Sequence, residues 1–148
     1  MYIICTYEHI DVEANLKAET LKILGDQTRL RVAHLLAAST KPLCVCEIVD
    51  ALRIPQYQVS KSLAMLRRAG LVDVDRNGTW GYYHPKADEK ANTILFDFVR
   101  EYCVDEPFDG DLDNLKKRLV LREAGKCVVG FVSEKELQKL MRRKGVTV

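Results

Sequence analysis

The feature that most constrains the fold is an Asn-Gly pair set between two short alternating segments. Residues 71–76 alternate between apolar and polar side chains, Asn77-Gly78 follows, and a second such segment returns. Asn-Gly is the strongest two-residue hairpin signal, because the tight turn needs positive φ at both positions. The segment before it begins at Pro55 and ends at Gly70, which are favoured just inside a helix start and just past a helix end. Helix, turn, helix and hairpin in this order predict a winged helix-turn-helix.

Helical spacing of apolar residues predicts five helices in the first two thirds of the chain. They run over about 11–24, 27–38, 44–52, 55–69 and 88–103. The last helix carries a wide apolar face, made by Ile94, Leu95, Phe98, Val99 and Tyr102. One small winged domain does not easily cover such a face. We therefore expect it to pack, with help from the first helix, against a second copy of the chain.

The C-terminal part of the chain is predicted to be an extension of the winged domain. An acidic linker over 105–113 leads into a helix with Leu115 and Leu119, a strand is predicted over 127–132, and a capping box at Ser133 opens a last helix. The predicted class is mostly α with a small β-hairpin wing (α+β): a dimeric winged helix-turn-helix with a C-terminal helix–strand–helix extension. The predicted division is a DNA-binding and dimerisation domain over 1–104 and an extension of unknown role over 105–148.

Charge and composition exclude several classes of protein. The 148 residues have a formal net charge of only +2. Residues 51–86 nevertheless hold six cations and two anions, an excess of four positive charges that suits an anionic partner such as DNA. The sequence has no apolar run long enough for a membrane span and no secretory signal at its start, which predicts a cytoplasmic protein. No phosphate loop, Ser-His-Asp pattern or spaced Cys-His pair occurs, so no enzymatic activity is predicted.

The second helix of the helix-turn-helix has a polar outer face suited to DNA. Gln56, Gln58, Ser60 and Lys61 offer the donors and acceptors that base edges and phosphates require, and Arg76 at the wing tip reaches the backbone or the minor groove. The alternative is a merely solvated polar face. Helix order, turn residues and local charge agree with one another, which favours the DNA-binding interpretation.

Cys44 and Cys46 stand at the start of the helix that leads into this DNA-reading helix. Within a regular helix, side chains at i and i+2 point to different faces. At the N-cap the backbone is not yet helical, so the two thiols can converge on one soft ion. Free helix N–H groups there are expected to lower the thiol pKa and favour the thiolate that binds metal. The alternative is that both cysteines are small buried hydrophobic residues.

Three stretches resemble the ArsR/SmtB family of metal-responsive repressors: residues 24–31, residues 59–72 and the wing segment 80–83. The resemblance covers about residues 12–103. It implies a homodimer that represses its own operon by binding double-stranded operator DNA and releases it when metal binds. Carried over by position, the family's DNA contacts fall on the polar residues identified above. The imperfect palindrome it implies would set the two recognition helices about 34 Å apart.

The ArsR/SmtB family has several alternative metal sites. Residues 88–103 contain no histidine, so the family's zinc-type site is absent. The Cys-x-Cys at Cys44 and Cys46 matches the site that implies sensing of As(III) or Sb(III), with Cd(II) or Pb(II) possible. These ions take three or more sulfurs, and the position where the family often has a third cysteine is Val49 here.

The third metal ligand is therefore expected elsewhere in the chain. Some relatives use an N-terminal cysteine of the other subunit, which favours Cys5, with Cys103 and Cys127 as rivals. A second hypothesis keeps the DNA binding but replaces metal by thiol oxidation. A third, a thiol oxidoreductase, would need Cys-x-x-Cys before a helix in a βαβ setting, and the sequence has no such setting.

Overall fold

The computed structural model describes the backbone of residues 4–148 and the side chains from Val12 onward. The helices are α1 (Ile4–Leu24), α2 (Gln27–Ala38), α3 (Val45–Leu52), α4 (Gln56–Arg68), α5 (Lys90–Tyr102), α6 (Phe108–Leu119) and α7 (Glu134–Arg143), and the strands are β1 (Val72–Asn77) and β2 (Trp80–Pro85). Within the described residues, no helix combines the length and the hydropathy that a membrane crossing requires. Helices α3 and α4 with the hairpin confirm the predicted α+β winged helix-turn-helix.

The core is built around α2, whose apolar residues contact α4, α5 and the wing. Val32, Leu35 and Leu36 of α2 are almost completely buried. The Asp26 side chain caps this helix by accepting a hydrogen bond of 3.0 Å from the Arg29 N–H. Because α2 contacts both DNA-binding elements, it sets the position of the recognition helix relative to the wing.

The helix-turn-helix follows the sequence closely, but the hairpin turn is shifted by one residue from the predicted Asn77-Gly78. Asn77 is the last residue of β1 and pairs with Trp80, so the turn consists of Gly78 and Thr79. Gly70 has φ of +73° just past α4, and Gly78 has φ of +63° in the hairpin turn. Strands β1 and β2 are antiparallel, with Val74 opposite Tyr83 and Asn77 opposite Trp80. The positive φ values explain why glycine is needed at both predicted turning points.

Two predictions for the C-terminal part are wrong in detail. The acidic stretch over 105–113 is not wholly a linker, because α6 already begins at Phe108; Asp109 and Asp111 lie in its first turn, where the helix dipole favours carboxylates. The strand predicted over 127–132 does not form. That segment is extended, but its backbone groups bond to side chains instead of a neighbouring strand.

Polar residues on one side of α6, together with the turn that follows it, attach the extension to α2 and α3. Asp111 pairs with Arg31 at 2.7 Å, and the Asn114 amide donates to the Ala51 carbonyl at 3.0 Å. Leu115 joins the main hydrophobic core. The extension therefore packs directly on the helix that carries Cys44 and Cys46, whereas the predicted domain boundary at residue 104 stays a prediction.

Candidate metal centre and nucleic-acid interface

Three cysteine thiols meet where α3, the wing and the C-terminal extension join. The Sγ atoms of Cys44 and Cys46 are 3.1 Å apart, and those of Cys46 and Cys127 are 3.5 Å apart. All three sulfurs lie within 4.8 Å of one another. The residues are 1%, 1% and 2% exposed. We call this group the thiol cluster.

The first two thiols converge because Cys44 is the N-cap of α3. Its backbone is extended, with φ of −86° and ψ of 161°, so its side chain leaves the helical path before Cys46 enters the first turn. The Cys44 N–H donates to the Glu47 carboxylate at 3.0 Å. Next to it, Leu43 and Tyr83 exchange two backbone hydrogen bonds of 2.9 and 2.7 Å. The start of α3 is thereby fixed to strand β2. Cys44 occupies the N-cap position that the sequence predicts.

Cys127 comes from the extended segment that follows α6. Its N–H donates to the Tyr82 hydroxyl of the wing at 2.9 Å. Two residues on, the Val129 carbonyl accepts a hydrogen bond of 2.6 Å from Arg118 of α6. These two contacts hold the Cys127 sulfur against α3, across 81 residues of sequence from Cys46.

Two buried ion pairs flank the thiol cluster. Arg118 Nε lies 2.6 Å from an Asp50 carboxylate oxygen, and Arg122 contacts both Glu47 carboxylate oxygens at 2.7 Å. Arg118 is fully buried, and its Nη1 atom has no hydrogen-bond acceptor among the described residues. These ion pairs join the extension to α3, and removal of either partner would leave an uncompensated buried charge.

The electrostatics of the thiol cluster make Cys127 its most acidic thiol. Hydrogen bonds from Cys44 and then Cys46 lower the pKa of Cys127, and the charge of Arg118 lowers it further. The same bonds to Cys127, together with burial, raise the pKa of Cys44 and Cys46. The expected lowering at the helix start is therefore reversed for Cys44 and Cys46, because contact with a neighbouring sulfur and burial both favour the protonated thiol.

The spacing of the three sulfurs fits one thiolate-bound ion. At a metal–sulfur bond of about 2.3 Å, three ligands around one ion lie roughly 3.3–4 Å apart. The observed separations of 3.1 and 3.5 Å differ from this by only a few tenths of an ångström. Sulfur donors alone favour soft metals and metalloids. The donor set therefore fits As(III), Sb(III), Cd(II) or Pb(II).

Two cysteines remain, Cys103 and Cys5. Cys103 is buried in the main hydrophobic core, apart from the thiol cluster. The side chain of Cys5 lies outside the described residues, so its assignment as third ligand stays a prediction. Sequence reasoning ranked Cys127 below Cys5, because no local pattern reveals that the extension folds back onto α3. Arg118, Asp50 and Glu47 were missed for the same reason.

Four of the five predicted DNA contacts are exposed. Gln56, Ser60 and Lys61 of α4 and Arg76 near the wing tip are exposed, whereas Gln58 is half-buried and donates to the Tyr57 hydroxyl at 3.1 Å. Tyr57 itself is 69% exposed, which makes it a further candidate contact that sequence reasoning did not select.

A small cavity connects two of these exposed residues with the thiol cluster. It has a volume of about 240 Å³ and is lined by Cys44, Cys46, Gln56, Arg76 and the Trp80 side chain, among others. The thiols and two of the predicted DNA contacts thus border the same space, although the thiols themselves are buried. A change at the sulfurs is therefore close enough to reach the DNA-binding residues directly.

Known proteins with related sequences are transcriptional regulators. Residues 26–74 match the family model described as "Bacterial regulatory protein, arsR family". The chain is 43% identical over 78 residues to an uncharacterized HTH-type transcriptional regulator of Methanocaldococcus jannaschii, which covers 53% of this chain and 85% of that protein. It is 40% identical over 105 residues to the arsenical resistance operon repressor of Escherichia coli, which covers 70% of this chain and 87% of that protein.

Among solved structures, reduced HlyU from Vibrio cholerae has the same fold. The TM-score is 0.56 at 23% identity, over 66% of this chain and 99% of that one. At this identity the likeness concerns the fold alone. Together with the sequence relatives and the winged helix-turn-helix, it leads to one assignment: the chain belongs to the ArsR family and is a winged-helix transcriptional regulator.

Proposed function

We propose that this protein is a metalloid-responsive repressor. A cytoplasmic homodimer binds operator DNA and releases it when As(III) or Sb(III), or alternatively Cd(II) or Pb(II), binds cysteine thiolates. We assign Cys44, Cys46 and Cys127 as the ligands, with Cys5 as the competing third ligand. The single observation that carries the proposal is the buried thiol cluster against the helix that precedes the recognition helix. The name of the Escherichia coli relative, an arsenical resistance operon repressor, supports this class of inducer.

The three thiols come from the start of α3 and from the extension, which is itself bonded to the wing, and this gives them a means to alter DNA binding. Cys44 caps α3, Cys127 is bonded to Tyr82 of the wing, and the extension is joined to α3 through Arg118 and Arg122. When all three sulfurs are bound to one ion, their hydrogen bonds to one another are replaced by fixed sulfur–ion distances. The wing and the start of α3 must then move together. A coupling of about 1–3 kcal/mol weakens operator binding roughly 5- to 150-fold.

The direct test is a titration of operator-bound protein. We expect arsenite and antimonite to release the DNA, and zinc, which also binds thiolate sulfur, is titrated alongside them as a divalent comparison. X-ray absorption of the loaded protein should give three sulfurs per ion. Release without bound metalloid, or a count of two sulfurs with oxygen, would contradict the assigned ligand set.

The DNA interface yields a prediction for Lys61. We expect Lys61→Ala to weaken operator binding and to lower the slope of log affinity against log salt by about one unit, because one phosphate contact releases about one counterion. Affinity measured at several salt concentrations checks this. Lys139→Ala removes the same charge from the exposed face of α7 and should leave the slope unchanged. Equal slopes for both variants would argue against this docking of α4.

The homodimer is proposed from the outer face of α5. Ile94, Phe98 and Tyr102 are 59%, 54% and 70% exposed, although Phe96 and Val99 on the inner face are buried in the core. Phe98 and Tyr102 stack with ring centroids 5.0 Å apart. Exposed apolar residues at helical spacing are typical of a protein–protein interface. Two copies joined through this face would present two recognition helices to a palindromic operator.

A second candidate function is regulation by thiol oxidation. A disulfide within Cys44-x-Cys46 would be strained, but Cys46 and Cys127 are distant in sequence with sulfurs 3.5 Å apart. Peroxide would take two electrons and two protons from these thiols and leave as two waters while an S–S bond forms. Release of operator by peroxide, reversed by dithiothreitol and unaffected by arsenite, would favour this function over metalloid sensing.

A further inference from the structure

We propose that the Asp50–Arg118 ion pair makes the thiol cluster selective for trivalent metalloid oxyacids over divalent cations. The inference rests on the proposed function, because it takes the three sulfurs as the ligands. It is based on the charges of the side chains that surround the buried thiol cluster.

The charged groups next to the thiol cluster cancel in pairs. Arg118 is matched by Asp50 at 2.6 Å, and Arg122 is matched by Glu47 at 2.7 Å. Burial raises the pKa of Asp50, and the hydrogen bond and charge of Arg118 oppose that rise. Among the buried groups of the described residues, the cluster therefore has no uncompensated positive charge beside it; Arg76, which borders the same cavity, is exposed to solvent, where its charge is screened.

Trivalent and divalent ions leave different charges on three sulfurs. Arsenous acid exchanges three hydroxyl groups for three sulfurs: three As–O bonds break, three As–S bonds form and three waters leave. The protons come from the thiols, and one comes from solvent where Cys127 starts as a thiolate. Arsenic stays trivalent and the product is neutral. A divalent cation instead displaces the thiol protons to solvent and leaves a complex with one negative charge.

That negative charge has no partner at this site. An unpaired buried charge is costly, and the sulfurs lie in residues that are 1–2% exposed. Arg118 would neutralise a divalent complex, but Asp50 already cancels its charge. The carboxylate of Asp50 thus disfavours divalent ions while it leaves the neutral trivalent complex unaffected.

The test is the variant Asp50→Asn. Asparagine keeps an oxygen that accepts from Arg118 Nε and removes one negative charge. We expect the ratio of Cd(II) affinity to arsenite affinity to rise about 10- to 100-fold, as a unit charge a few ångströms away implies at an intermediate dielectric. Both affinities are measured by competition against glutathione, with sulfur-to-metal absorption in the ultraviolet as the readout.

The matched control is Asp111→Asn. Asp111 is a buried carboxylate that is likewise paired with an arginine, Arg31, at 2.7 Å, and it attaches the same extension. We expect its affinity ratio to equal that of the unaltered protein. An unchanged ratio in Asp50→Asn, or the same change in both variants, overturns the selectivity proposal.

A measurement on the unaltered protein covers the case in which Asp50→Asn does not fold. The protein should favour arsenite over Cd(II) more strongly than glutathione does, because glutathione binds both ions in water without burying charge. An equal or reversed preference overturns the inference. Failure of the unaltered protein to bind either ion through three sulfurs would instead refute the proposed function, so the two failures are distinguishable.

Discussion

Cys127→Ser is expected to abolish the response to arsenite and antimonite while operator affinity without metalloid stays nearly unchanged. The substitution removes one of three sulfur ligands and puts a hard oxygen in its place. Substitutions of residues that only support a metal ligand usually lower metal affinity roughly 10- to 100-fold. Loss of a ligand itself should lower the metalloid affinity by more. Fluorescence anisotropy of labelled operator, with and without arsenite, measures both quantities in one experiment.

Serine variants of the other cysteines make this prediction decisive. Cys44→Ser and Cys46→Ser should lose induction in the same way and still bind the operator. Cys103→Ser should respond normally, since Cys103 lies in the main core and not in the thiol cluster. A normal response of Cys127→Ser together with loss of response in Cys5→Ser would transfer the third ligand to the N-terminus.

Phe98→Glu is expected to convert the dimer to monomers and to weaken operator binding about 10²- to 10⁴-fold. The substitution places a carboxylate in the centre of the exposed α5 face, where it would be buried between two subunits. A monomer contacts only one half-site of the operator and loses the additional affinity that two linked half-site contacts provide. Analytical ultracentrifugation gives the oligomeric state, and operator titration gives the affinity.

Val120→Glu is the control for the introduced charge. Val120 is 43% exposed at the end of α6, so the substitution adds the same carboxylate to another exposed apolar position. We expect this variant to remain dimeric and to bind DNA normally. If Phe98→Glu sediments as a dimer with full operator affinity, the subunits associate through another surface.

The local elements of the fold could be predicted because short-range chemistry specifies them. Gly70 and Gly78 adopt the positive φ that was predicted from their place after a helix and in a turn. The cap positions at Asp26 and Cys44 depend on backbone groups within three residues. The extension was harder to predict: the apolar residues 127–132 resemble a strand, but a strand needs an edge to pair with, and here side chains supply the hydrogen bonds instead.

The sequence by itself determined the winged helix-turn-helix, the polar face of α4 and the pairing of Cys44 with Cys46. All three follow from periodicity, turn residues and capping, which act over a few positions of chain. The tertiary structure decided that Cys127 lies beside them and that Asp50 and Arg118 flank the sulfurs. The physical reason is that α6 packs back across α3 through buried ion pairs, and such long-range pairs leave no periodic trace in a single sequence.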